Sequence, residues 1–196
     1  TANNPLASLY SLGGDNTTSL LNTTVFANFD IIKGLSMEAK AHYDNSVTEN
    51  NIHNVPQERW NFATNTIGNA ATSPGQLYTQ YSLYKNYNVI LEDVLKYNTT
   101  IAEKHDIGAL AGYNQQYFKL YNFTTRKTGL LDESLTTLNT ATNMTSISGD
   151  AYDFALRSFF GRLNYAYNQR YLFEAVFRYD GSSRFSKQRR WGFFPA

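Results

Sequence analysis

Apolar and polar residues alternate with a period of two along much of the chain, which is the mark of β-strands with two unlike faces. From Leu21 to Ile31 one parity holds Leu21, Thr23, Val25, Ala27, Phe29 and Ile31, and the other holds Asn22, Thr24, Phe26, Asn28 and Asp30. After a turn at Lys33-Gly34, Leu35, Met37, Ala39, Ala41 and Tyr43 oppose Ser36, Glu38, Lys40 and His42. The two runs read as a hairpin. A third strand is predicted from near Tyr84 to Thr100, with Asp93 blurring its alternation. A short turn at Glu103-Lys104-His105-Asp106 leads to a fourth, from Ile107 to Thr124. A fifth runs from Tyr152 to Tyr167, with Gly161, Leu163, Tyr165 and Tyr167 on one face and Arg162, Asn164 and Ala166 on the other. A tight turn at Asn168-Gln169-Arg170 gives a sixth, from Tyr171 to Asp180, where Tyr171, Phe173, Ala175, Phe177 and Tyr179 oppose Leu172, Glu174, Val176 and Arg178. Two polar stretches rich in Asn and Thr, from Asn45 to Gln80 (with Pro56 and Pro74) and from Thr125 to Asp150, read as long loops. Gly181 to Arg190 reads as a medium loop, and Gly13-Gly14 as a turn.

Connection lengths therefore alternate short, long, short, long, short, medium. Successive connections of up-and-down strands lie at opposite ends of a sheet, so all short turns fall on one edge and all long loops on the other. Outer-membrane barrels are built this way, with short periplasmic turns and long extracellular loops. The predicted strands exceed the 5–6 residues usual in soluble proteins and reach the roughly 9–11 needed to cross hydrocarbon at a tilt. The fold class expected is all-β: antiparallel up-and-down strands, about six, forming part of a large transmembrane β-barrel.

Composition agrees. Charged residues make up 17% of the chain and aromatic residues 15%, with 15 Tyr and 13 Phe, yet mean hydropathy is -0.45. Tyr, Asn and Thr fill the space that charges leave, as suits a sheet with one face in lipid and one in water. Neither a transmembrane helix nor a signal peptide is visible. The absence of cysteine removes disulfides and thiolate metal sites, and the formal charge of +1 argues against a dedicated nucleic-acid binder. A soluble antiparallel sheet with one buried face alternates equally well. Against it, Ala and Gly among large aromatics pack poorly as a sandwich core, and Tyr165, Tyr167, Tyr171 and Phe173 cluster near a turn, where an interfacial girdle belongs.

If the Tyr/Phe/Ala face meets lipid, Glu38, Lys40, Arg162, Glu174 and Arg178 line the polar interior, where they hold a plug or contact substrate. Arg157 shares the lipid-facing parity of Leu163. It must sit near or beyond the outer interface, unless a bulge between it and Gly161 resets the face. Chemistry is otherwise sparse. His42, His53 and His105 lack ligand spacing and read as solvated side chains. Gly108 and Gly112 read as relief of crowding in a sheet. Asp180-Gly181-Ser182-Ser183 has no histidine or Gly-x-Ser-x-Gly elbow and reads as a strand-to-loop transition. The basic run Lys187-Gln188-Arg189-Arg190-Trp191 is either a solvated loop or a contact for an anion. Sequons at Asn16, Asn22, Asn98, Asn122 and Asn143 are expected by chance in so Asn- and Thr-rich a chain. No catalytic spacing, metal or cofactor motif is present, so an enzyme is not expected.

The run Phe160-Gly161-Arg162-Leu163-Asn164-Tyr165-Ala166-Tyr167, followed by Arg170-Tyr171-Leu172, Arg178-Tyr179-Asp180-Gly181-Ser182-Ser183-Arg184-Phe185 and Arg190-Trp191-Gly192-Phe193-Phe194-Pro195-Ala196, resembles the barrel signature of SusC/RagA-type TonB-linked outer-membrane proteins. Asn4-Pro5-Leu6-Ala7 and the turn Ile32-Lys33-Gly34-Leu35 resemble segments upstream in the same barrels. The likeness is sharp from about Phe159 onward. It implies a plugged barrel in the outer membrane of Bacteroidetes-type bacteria that imports oligosaccharides or peptides, with a SusD-like surface lipoprotein as lid and TonB as the energy source. No plug or TonB box is recognisable and neither end reads as a natural terminus. Six strands also cannot close a barrel, so residues 1–196 are expected to be a partial barrel domain. The competing expectation is a soluble carbohydrate-binding or adhesin-like β-domain, with Trp60 and Tyr78 stacking on sugar rings.

Overall fold

A computed structural model describes residues 12–55, 58–69, 77–132 and 134–196. Asn4-Pro5-Leu6-Ala7, Pro56 and Pro74 lie outside these residues. The strands are β1 (Leu12–Ile32), β2 (Leu35–Asn54), β3 (Glu58–Asn61), β4 (Thr66–Asn69), β5 (Tyr78–Ile101), β6 (His105–Leu130), β7 (Ala141–Tyr167), β8 (Tyr171–Ser182) and β9 (Trp191–Pro195). Seven of them form one sheet in the order β1-β2-β5-β6-β7-β8-β9, so sequence neighbours are space neighbours. β3 and β4 form a separate antiparallel hairpin with Trp60 opposite Ile67.

The sheet departs from the sequence reading in three ways. First, it holds seven strands rather than six, because Trp191–Pro195 pairs with β8, placing Phe193 opposite Tyr179. Second, the polar stretches expected as loops are largely strand. β2 continues to Asn54 and β5 begins at Tyr78, while β6 continues to Leu130 and β7 begins at Ala141. Their alternation is invisible because a strand with water on both faces needs no apolar side. Cross-strand hydroxyl pairs take its place: Thr18 with Thr48 at 3.0 Å, Thr124 with Ser82 at 3.1 Å, and Thr145 with Thr128 at 3.1 Å. Third, Gly13-Gly14 is not a turn but lies inside β1. A Cβ on Gly14, at φ +131°, would strike the Asn51 carbonyl oxygen.

Contacts divide the chain into two units. One comprises Thr1–Ser19, Ser46–Lys85 and Tyr121–Ala151. It contains a small apolar cluster of Leu77, Leu130 and Ala141. Residues 134–140 fold back beside this cluster, with the Thr79 hydroxyl donating to the Thr136 carbonyl and the Gly129 N–H to the Leu77 carbonyl. Asp132 begins this connection as an Asx turn, its Oδ1 accepting from the Ser134 N–H at 2.8 Å and from the Ser134 hydroxyl.

The other unit comprises Leu20–Asn45, Asn86–Leu120 and Tyr152–Ala196 and holds the three short turns. Among its described residues, Val94 is the one buried large aliphatic side chain. The second short turn is Ala102–Lys104, one step earlier than the sequence suggests, so His105 and Asp106 belong to β6. Ala102 and Glu103 (φ 51° and 58°) and Asn168 and Gln169 (φ 51° and 52°) give both hairpins paired left-handed residues. That geometry matches the right-handed twist of the strands and normally selects Asn-Gly. The two turns touch, the Asn168 N–H donating to the Lys104 carbonyl at 2.6 Å.

Two predictions follow from these connections. Replacing Ala102→Asn together with Glu103→Gly should stabilise the folded receptor by about 1 kcal/mol per position, because left-handed backbone is costly for ordinary L-residues; a higher urea midpoint for unfolding from detergent would show it. The Ser134 hydroxyl and N–H hold the Asp132 carboxyl below its ordinary value of 3.8. A depressed acid contributes stability above the unfolded pKa and loses it as pH falls through the folded one. Protection from hydrogen exchange in residues 134–140, taken relative to the intrinsic exchange rate at each pH, should therefore be highest at neutral pH and fall below pH ~4, and Asp132→Asn should flatten that dependence.

Candidate functional site: a polar wall backed by an aromatic face

In the unit that holds the short turns, strand parity sorts side chains into two faces. The continuous pairing of β7 with β8, from Leu156↔Ser182 to Tyr167↔Tyr171, fixes even residues with even and odd with odd. On the even face, Lys40 Nζ lies 3.6 Å from Glu38 Oε1 and 3.5 Å from Glu92 Oε1, and Lys96 Nζ donates to Glu38 Oε2 at 3.1 Å. Asn114 Nδ2 donates to the other Glu92 oxygen at 3.3 Å. Gln116 donates to the Asn88 amide oxygen at 2.8 Å, and Asn88 Nδ2 to Asp44 at 3.3 Å. Asp44 also meets His42 Nε2 at 2.8 Å, while His42 Nδ1 meets the Thr24 hydroxyl at 2.7 Å. Further along, Arg162 binds Glu174 at 2.6 Å, and Arg178 Nε lies 2.8 Å from both Asp180 oxygens.

Glu38, Lys40, Arg162, Glu174 and Arg178, marked by sequence parity, thus all carry partners on one face. Each pair is partly exposed and worth at most about 1 kcal/mol; together the pairs hold long side chains in fixed directions and cancel charge locally. Sequence reasoning missed Lys96, Glu92 and Asp44. The same even parity would have found the first two had Asp93 not obscured it. His42 and His105 are also better held than solvated histidines: His105 Nδ1 is 2.7 Å from the Tyr165 hydroxyl. Near the short turns a cavity of about 1050 Å³ opens on the even face, lined among others by Lys33, Asn98, Asp106, Arg162, Asn164 and Glu174. Gly112 on this face lets the Phe160 ring lie across it, where a Cβ would collide, so crowding does account for that glycine. Among the described residues no group of three or more His, Asp or Glu is placed to hold a metal ion.

The odd face is aromatic in two clusters. Beside the turns, His105 packs on Tyr167 at 5.1 Å and Tyr167 stacks with Tyr171 at 6.4 Å. Farther up, Tyr113 meets Phe159 at 5.1 Å, Phe159 meets Trp191 at 6.1 Å, and Trp191 stacks on Tyr179 at 4.7 Å. Between them Leu163 is 45% exposed, and Phe177 47%. Arg157 keeps this parity. It pairs with Gly181 in unbroken register, so the bulge offered as one explanation is absent from the β7–β8 pairing. Ten strand residues above Tyr167, at about 3.3 Å each and a tilt of about 40°, put Arg157 roughly 25 Å higher, which is the height of the apolar band of an outer-membrane barrel.

In the first unit, Trp60 is exposed on β3. Tyr78 is less available for stacking, because the Arg126 guanidinium lies 3.7 Å from its ring centroid. The five sequons all fall within strands.

An antiparallel up-and-down sheet with paired charges on one face, and exposed leucines between two aromatic clusters on the other, is the wall of a transmembrane β-barrel. No family model matches the chain. A TonB-dependent receptor of Formosa agariphila is 30% identical over 199 residues, covering 99% of this chain and 18% of that protein. The TonB-dependent receptor SusC of Bacteroides thetaiotaomicron is 34% identical over 118 residues, 60% of this chain and 11% of SusC. The solved structure of the RagAB peptide transporter superposes with a TM-score of 0.84 at 22% identity, covering 94% of this chain and 20% of the other. Along nearly its whole length the chain is similar to part of the SusC/RagA-type TonB-dependent receptors, which are outer-membrane proteins rather than enzymes, and it spans at most about a fifth of the length of those it matches.

The two faces give opposite mutational signatures. Leu163→Arg, near the middle of the apolar band, should cost about 2–4 kcal/mol, whereas Arg157→Leu at its edge should change stability by no more than about 1 kcal/mol; unfolding titrations in lipid vesicles would separate the two.

Proposed function

We propose that this chain is part of the wall of an outer-membrane importer. Its odd face meets lipid, and its even face lines the lumen that a plug fills and substrate crosses. Two paired chains of side chains carry the reading, Thr24–His42–Asp44–Asn88–Gln116 and Lys96–Glu38–Lys40–Glu92–Asn114. A lumen wall needs polar side chains that stay put and present little net charge while solute passes. Energy comes from TonB, and a SusD-like surface lipoprotein lids the barrel. The substrates are oligosaccharides or peptides. The relative called TonB-dependent receptor SusC supports the TonB-driven part of this reading, and the RagAB peptide transporter supports transport, of peptides in its own case. The soluble carbohydrate-binding alternative would leave Leu163, Phe173 and Phe177 in water with no second layer over them among the described residues.

This segment has no cysteine, so once any cysteines elsewhere in the receptor are replaced by serine, single introduced cysteines report alone. Single cysteines replacing Leu163 or Phe177, and Lys40 or Asn164, are introduced into the whole receptor in native outer-membrane vesicles. The first pair should resist a water-soluble maleimide, and a fluorophore at those sites should be quenched by brominated lipid. The second pair should react in water, more slowly with the plug present. Reversed labelling would sink the lumen assignment.

A further inference from the structure

Lys40, Lys96, Arg162 and Arg178 of the polar wall are each held by a carboxylate, whereas the connection between β8 and β9 is basic with no acid of its own. Residues 183–190 contain Arg184, Lys187, Arg189 and Arg190 and no acid. They fold back over the end of β8. The Ser182 N–H donates to the Arg190 carbonyl at 3.0 Å, Arg190 Nε to the Phe185 carbonyl at 3.1 Å, and the Arg189 N–H to the Ser186 carbonyl at 2.9 Å, closing a 3-10 turn at Lys187–Arg189.

The fold encloses a cavity of about 380 Å³ whose wall includes Leu156, Ser158, Phe185, Arg189, Arg190 and Phe194. Charge around it is unevenly satisfied. Arg178, also in the lining, is spent on Asp180 and reaches the Ser158 hydroxyl at 3.3 Å, and the Arg184 guanidinium lies 3.9 Å from the Phe154 ring centroid. The Arg189 side chain has no partner among the described residues, and the Arg190 guanidinium engages through Nε alone. Two guanidinium groups with unused donors thus border a cup whose one carboxylate, Asp180, is neutralised by Arg178, and whose remaining side chains are apolar or aromatic apart from the Ser158 and Ser182 hydroxyls.

Each part of the lining selects a feature of its occupant. Guanidinium forks match carboxylate or sulfate oxygens in pairs. Aromatic and aliphatic surface takes an apolar C–H face. Hydroxyls take hydroxyls. We propose that the cup is a subsite for an acidic sugar unit, a pyranose bearing a carboxylate or sulfate, on an oligosaccharide passing through the lumen. An acidic peptide side chain would satisfy the arginines but leave the apolar lining and serines unused. The proposal rests on the importer reading above and narrows its substrate.

The test uses the full-length receptor in detergent, titrated calorimetrically with tetragalacturonate, maltotetraose and a tetraglutamate peptide. Tetragalacturonate should bind, more weakly as salt rises. Arg189→Ala and Arg190→Ala should each lower its affinity roughly tenfold or more, the loss expected for a charge-assisted hydrogen bond. Arg189→Lys should restore part of the affinity. Heat-modifiable migration on gels verifies that the variants fold. Equal binding of maltotetraose, tighter binding of tetraglutamate, no binding of tetragalacturonate, or affinity unchanged in both alanine variants would overturn the acidic-sugar assignment. The cysteine labelling reports on the wall independently: labelling as expected with no acidic-sugar binding removes this inference alone, whereas reversed labelling removes the importer reading itself.

Discussion

Hydrocarbon offers no partner for a backbone N–H or C=O, so a chain that crosses it must pair every such group within the protein. In this chain the pairing is strand to strand, and once it is in place the side chains have no freedom of face. The unbroken β7–β8 register locks Leu163 and Phe177 onto one face, and Asn164 and Glu174 onto the other. Neither unit builds its strands around a large buried core: Leu77, Leu130 and Ala141 in one, and Val94 in the other, are the buried apolar side chains among the described residues. In the proposed orientation, lipid on the aromatic face and a wet lattice of paired charges on the other take the place that a second layer has in a soluble fold.

What the sequence could reveal followed from where water lies. Where lipid covers one face, only alternating residues can be apolar, and there the parity of Leu163, Tyr165, Phe173 and Phe177 gave the strand and its face together. Where both faces are wet, that constraint lapses. The stretches around Asn50 and Thr142 read as loops because Thr and Asn serve a wet strand as well as a turn, and only the folded chain shows Thr18 meeting Thr48 and Thr145 meeting Thr128. β9 was missed for another reason: five residues are too few for a periodic signal, and its pairing with β8 is set by the preceding loop rather than by its own pattern.

The site was legible to the same degree. Glu38, Lys40, Arg162, Glu174 and Arg178 stood out as charges on the even parity of clear strands. Their partners Lys96 and Glu92 lay on β5, where Asp93 interrupts the pattern. The Arg157 puzzle was posed correctly by parity alone, but choosing between height and bulge needed the register. The Arg189 and Arg190 cup was visible only as a basic run. Nothing in a linear sequence shows that Arg178 and Arg184 find partners while Arg189 does not.

The continuous register carries a further consequence, for how such a wall can change in length. Because faces alternate at every residue, adding or losing one residue between Leu156 and Tyr167 would turn half of β7 inside out, exchanging the aromatic and polar faces. Two residues shift the strand without exchanging its faces. Length variation in such a barrel should therefore occur in even steps within the strands and in any step at 131–140 or 183–190. The membrane-spanning part of the gene inherits a counting rule from which its loops are exempt.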